Sequence, residues 1–142
     1  MAPLTQLAPR DAAATRKDDV VVLVVPADGS YLAVLRTATA GLAARLQFTL
    51  DEIEDLRIAV DEACAMLLTV APTGAELRCE FQVTAEALAV NVTAPVKETA
   101  ALPGGQSFSW QVLTALAGKV SADTTEEQAT IRLVKNRTSP AA

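Results

Sequence analysis

Few side chains in this sequence can carry chemistry, and their spacing limits what that chemistry is. Histidine is absent, which removes Ser-His-Asp triads, Cys-His nucleophile pairs and every His-ligated metal centre. Cys64 and Cys79 are too few and too far apart for a disulfide framework or a closed zinc site. Each reads as a small buried hydrophobe. Carboxylates gather at Asp51, Glu52, Glu54, Asp55, Asp61 and Glu62. Helical spacing spreads them around the axis, so they predict a charged solvent face rather than a metal patch. Glu62 and Met66 stand four residues apart and share one helix face. A thioether is a poor partner for a hard, oxygen-seeking cation. Gly104-Gly105, followed by Ser107 and Ser109, precede an apolar run. Backbone N–H groups at such a helix start are suited to meeting an anion. Arg36 is, on composition, an ordinary surface arginine, and Trp110 reads as a core or loop-base residue.

The bulk composition narrows the field further. The chain has 142 residues, the size of one domain. Hydrophobic residues make up 51% and aromatics only 4%, so the core is aliphatic, built from Ala, Val and Leu. The net charge is −5 and the isoelectric point about 4.7. That balance excludes a direct nucleic-acid grip, which needs a basic stripe, and attachment to anionic lipid. It suits a basic protein partner. The first 19 residues hold no long apolar stretch, so no signal peptide is expected. The longest apolar run, Val20–Pro26, is far short of the roughly 20 residues of a membrane span. A cytoplasmic protein is the expectation.

These residues need elements to hold them. Residues 1–19 lack periodicity and predict a disordered arm. Val20–Val25 is apolar, mostly β-branched and stops at Pro26, which predicts a first strand. Leu32, Leu35, Leu42 and Leu46 recur near helical spacing. A second helix opens at Leu50 with acids in its first turn. It carries Ile53, Leu56, Val60, Ala63, Leu67 and Val70 on one stripe and ends near Ala71-Pro72. Leu77, Cys79, Phe81 and Val83 alternate with polar residues, as do Leu88, Val90 and Val92, giving two strands around a turn at Ala85-Glu86. A loop over 94–106 leads to a third helix capped by Ser107 or Ser109 and running to Ala117. A short strand from Val120, a polar turn at Thr124–Glu127, and a last strand over Ala129–Val134 complete the domain, 20–135, with a flexible tail at 136–142. The order β-α-α-β-β-α-β-β predicts an α/β (α+β) two-layer sandwich, a mixed sheet with helices on one face.

Three runs then point to a family. Leu50-Asp-Glu-Ile-Glu-Asp-Leu-Arg-Ile-Ala-Val-Asp-Glu-Ala-Cys64 resembles the glutamate-bearing helix of the RsbW/SpoIIAB-type anti-sigma factor kinases, which have the Bergerat (GHKL) ATP-binding fold. Phe108-Ser-Trp-Gln-Val-Leu-Thr-Ala-Leu-Ala-Gly-Lys-Val120 is similar to the segment after that family's ATP lid, and the helix bearing Arg36 precedes both. The likeness spans roughly Val20–Val134. It is nearest to actinobacterial, mycobacterial-type anti-sigma factors at Asp55–Cys64 and Ser107–Ala117.

The resemblance implies a site in which a glutamate acts as general base and an asparagine one turn on ligates Mg²⁺. Glu62 matches the base, and Met66 stands at the asparagine. The family's adenine-binding aspartate falls at Ala94 and the glycine after it at Val96. A methyl accepts no hydrogen bond, and a β-branched residue keeps a base from close approach. Its later glycines fall at Ser107 and Ser109, with Gly104 and Gly105 just upstream. These positions predict a degenerate nucleotide site that uses neither ATP nor Mg²⁺ as cofactor. The resemblance also implies a partner surface around Arg36, a sigma factor as partner, a STAS-domain anti-anti-sigma factor that releases it, and a homodimer. The expected function is sequestration of a stress- or sporulation-type sigma factor. The alternative is an active serine/threonine kinase that phosphorylates the anti-anti-sigma factor with ATP.

Overall fold

The computed structural model describes residues 19–98 and 100–138. The arm over residues 1–18 and the last four residues, 139–142, lie outside them. Strand β1 spans Asp19–Pro26, helix α1 Leu32–Arg45, helix α2 Leu50–Val70, β2 Glu76–Val83, β3 Ala87–Pro95, helix α3 Phe108–Ala117, β4 Lys119–Thr124 and β5 Gln128–Asn136. A single 3₁₀ turn, Gly29–Tyr31, leads into α1 and is capped by the Asp28 carboxylate on the Ser30 amide. The strands reach Asp19 at one end and Asn136 at the other, one residue beyond the domain limits drawn from sequence.

The sheet runs β1-β2-β3-β5-β4, and every neighbouring pair is antiparallel. The expected mixed sheet is therefore corrected to a fully antiparallel one. The reason is topological. Two helices separate β1 from β2, so the chain returns in the opposite sense, and hairpins join β2 to β3 and β4 to β5. The crossover from β3 through α3 makes β4 run parallel to β3, but β5 inserts between them, a split β-α-β unit. No parallel pair is left to bond.

Alternation decides which sheet face is covered. Leu77, Cys79 and Phe81 of β2, Leu88, Val90, Val92 and Ala94 of β3, and Ala129, Ile131 and Leu133 of β5 are buried. Their neighbours in sequence form the open face, where Arg132 Nη1 donates to Gln82 Oε1 and Asn91 Oδ1 at 3.2 and 3.0 Å. Against the buried face lies α2, presenting Leu56, Ala59, Val60, Ala63, Met66, Leu67 and Val70, with α1 and α3 flanking it. Full burial of each large aliphatic side chain is worth about 1.5–3 kcal/mol. Helix α2 begins with a capping box: Thr49 Oγ1 accepts from the Glu52 amide at 3.1 Å, and Glu52 Oε1 accepts from the Thr49 amide at 2.8 Å. Pro72 ends it, as the sequence predicts. In α1 the buried set is Leu32, Leu35, Thr39 and Ala43, while Leu42 and Leu46 are only half-buried. Among the described residues no helix is long and apolar enough to cross a membrane.

Candidate functional site

Helix α2 carries the residues expected to do chemistry, at the middle of the helical layer. Glu62 is half-buried. Its neighbour Asp61 takes the Arg36 guanidinium of α1, Nη1 to Oδ1 at 2.7 Å, with about a third of each side chain exposed (35% and 40%). Arg36 is therefore not a free surface cation. It braces α1 on α2 immediately beside Glu62, a pairing that the 25-residue separation conceals in sequence.

One turn past Glu62, Met66 is 3% exposed and belongs to the hydrophobic core, as does Ala94 at 1%. The fold brings these two positions into one apolar cluster. Neither supplies an oxygen, so the donor set of Mg²⁺ and the acceptor for an adenine amino group are both missing from them. Residue 96 follows β3, and the Val96 amide donates to the Glu127 carbonyl at 3.0 Å. The Lys97 amide then donates to the Val70 carbonyl at 2.8 Å, tying the loop after β3 to the C-terminal end of α2.

That loop leads into α3. Ser107 is the N-cap of α3, its hydroxyl accepting from the Trp110 amide at 3.4 Å, so the hydroxyl serves its own helix. Ser109 lies within the first turn. Gly104 and Gly105 are exposed, have no positive φ, and would meet nothing within 4 Å on gaining a Cβ; close packing does not demand glycine there. The Trp110 indole N–H donates to the Pro103 carbonyl and pins the loop against α3. Between loop, helix and β4 lies a cavity of about 540 Å³. Of the residues expected at a nucleotide, only Gly105 lines it.

The cysteines face each other across the core, Cys64 on α2 and Cys79 on β2. Burial, and secondarily the Asp61 charge, pushes the Cys64 thiol up to about 12. Burial, reinforced by Cys64, raises Cys79 as well. Both stay protonated at neutral pH and are poor nucleophiles. Among the described residues no three His, Cys, Asp or Glu side chains are grouped to hold a metal.

Sequence reasoning missed one arrangement entirely. After β5, Arg137 Nη1 donates to the Leu46 carbonyl at 3.2 Å, and the Thr138 amide and hydroxyl both donate to Glu52 Oε2. The segment after β5 thus clips the junction of α1 and α2. The Thr49-Leu-Asp-Glu52 capping pattern was there to be read; the clip had no local pattern to betray it.

No family model matches the chain. It is 37% identical over 100 residues to the anti-sigma-F factor RsbW of Mycobacterium tuberculosis, a match covering 70% of this chain and 59% of that protein. It is 48% identical over 46 residues to the serine-protein kinase RsbW of Bacillus subtilis, covering 32% of this chain and 29% of that protein. A similar match, 40% over 48 residues, is made to the serine-protein kinase RsbW of Bacillus thuringiensis, 34% of this chain and 30% of the relative. The chain thus spans between 29% and 59% of the length of these relatives. The relatives it resembles are thus RsbW proteins, named either anti-sigma-F factor or serine-protein kinase.

Proposed function

We propose that this protein is an anti-sigma factor with a degenerate nucleotide site. It holds an alternative, stress- or sporulation-type sigma factor away from core RNA polymerase in the cytoplasm, and a STAS-domain anti-anti-sigma factor releases it. The match to a protein named anti-sigma-F factor over 70% of this chain carries the reading. The element order on an antiparallel sheet agrees with a Bergerat (GHKL) scaffold, and the net charge of −5 suits a basic partner. Apolar Met66 and Ala94, buried in the core, support loss of Mg-ATP binding.

The site assignment is tested by pull-down of the cognate sigma factor with Arg36→Ala, Arg36→Glu and Asp61→Asn. If Arg36 touches the partner, both Arg36 variants weaken capture, while Asp61→Asn, which only frees the guanidinium, preserves it. Unchanged capture by Arg36→Glu would refute the assignment. The kinase alternative draws on Glu62, in place and half-buried, and on the Bacillus relatives named serine-protein kinases. Calorimetric titration with Mg-ATP separates the two readings, since micromolar binding would favour the kinase.

The homodimer has support on the edge strand β1. Val20, Val22 and Val24 there are 54%, 38% and 49% exposed on the open face. Such an apolar edge invites pairing with another chain. Sedimentation of wild type against Val22→Lys tests it: the variant sediments as a monomer, and an unaltered dimer would move the interface elsewhere.

A further inference from the structure

We propose that the free edge of β4, with the cavity beside it, is a docking site for an extended basic peptide that carries apolar side chains at alternate positions. Strand β4 ends the sheet, and among the described residues it pairs with β5 alone. Its outer N–H and C=O groups are therefore open to another strand. Along that same edge lies the cavity of about 540 Å³, within the size range of ligand pockets. Val120 and Ala122 of β4, Leu102 of the loop and Trp110 of α3 line it. The Trp110–Pro103 hydrogen bond holds the loop wall in place, so the cavity is preformed.

The two features suit each other. A peptide added antiparallel or parallel to β4 turns every second side chain to the helical side of the sheet, into this cavity. Backbone pairing supplies affinity, and the pocket selects an apolar residue. Charge selects the rest. Asp123 on β4 and Glu126 in the turn after it are exposed at one end of the edge, and neither forms an ion pair among the described residues. An intervening basic residue would meet them. Of the positions expected at a nucleotide only Gly105 borders this cavity, so the surface is separate from Arg36 and from Glu62, Met66 and Ala94.

The probe is a heptapeptide of alternating Lys and Leu. Trp110 is the sole tryptophan and lines the cavity, so its emission reports occupancy. A saturable shift is expected, with no shift for the matching Glu-Leu peptide. N-methylation of one alternate set of peptide amides abolishes binding, while methylation of the other set leaves it intact, because only one row faces β4. Ala122→Phe or Thr114→Phe, each checked for an unchanged thermal midpoint, weakens binding by about tenfold or more. The proposal is overturned if no saturable binding occurs, or if both methylated peptides bind alike. A dimer that Ala122→Phe dissociates would likewise overturn it, by assigning the edge to a second copy.

Discussion

Met66 and Glu52 are both on α2, and each shows how burial settles a side chain's role. Met66 fills apolar space where the resemblance to the kinase family expects an asparagine. Met66→Asn should therefore lower stability by about 2–4 kcal/mol, since it leaves a cavity and a buried amide without a partner. Chemical denaturation checks this. On the degenerate-site proposal, calorimetry on the same variant should find no Mg-ATP binding, because Ala94 remains. Glu52 is 7% exposed. Burial alone would raise its carboxyl, but donation from the Thr138 hydroxyl, the Thr49 amide and the Thr138 amide outweighs this and holds it below its ordinary 4.5. A depressed carboxyl stabilises the fold at pH values above its unfolded value and loses that contribution as pH falls through the folded one. Wild type should thus lose thermal stability below pH 4.5 more steeply than Glu52→Gln. Parallel melting curves for the two proteins across that range would defeat the assignment.

At the scale of elements, joints matter more than interiors. Arg36–Asp61 joins α1 to α2, and with 35% and 40% of the side chains exposed its coupling is expected near 0.5–1 kcal/mol. A double-mutant cycle with Arg36→Ala and Asp61→Ala measures it. Gly118 closes α3 at φ 93°, ψ −72°, a conformation that side-chain-bearing residues avoid. Gly118→Ala should cost about 1–3 kcal/mol, although its Cβ would meet only the Val134 carbonyl at 3.7 Å. The penalty is therefore one of backbone strain, and equal losses of thermal stability for Gly118→Ala and Gly118→Ser would identify it as such. The α1–α2 elbow holds Gln47 at φ 62°, between the Arg137 and Thr138 anchors. Truncation after Asn136 removes both anchors, and faster amide exchange at residues 46–49 is the expected result.

For the whole molecule, charge and exposed edges set how it meets others. With a net charge of −5, association with a basic partner should be fast at low salt. It should slow as ionic strength approaches physiological values, where screening acts within about 8 Å. Stopped-flow mixing at two salt concentrations reads this directly, and a salt-independent rate would remove electrostatic steering. The sheet leaves two edges, β1 and β4, of opposite character. One is a valine stripe, the other a short polar strand beside a pocket. They offer separate surfaces on one small domain.

Much of this architecture was legible in the residues. Period-2 alternation at Leu77–Val83 and Leu88–Val92 placed the strands and their buried face. The aliphatic stripe of α2, with acids at its start and Pro72 at its end, placed the central helix nearly to the residue. These features are local, set by steric and hydrophobic preferences that act within a few positions. Likewise the chemical identity of Met66 and Ala94 needed no coordinates. What the residues did not reveal depends on chain segments far apart in sequence. Insertion of β5 between β3 and β4 made the sheet antiparallel. Asp61 captured Arg36, Thr138 closed on Glu52, and the loop over Trp110 formed a cavity that only Gly105 of the expected nucleotide positions lines. Each depends on long-range packing and on where buried donors find acceptors, which no local period encodes.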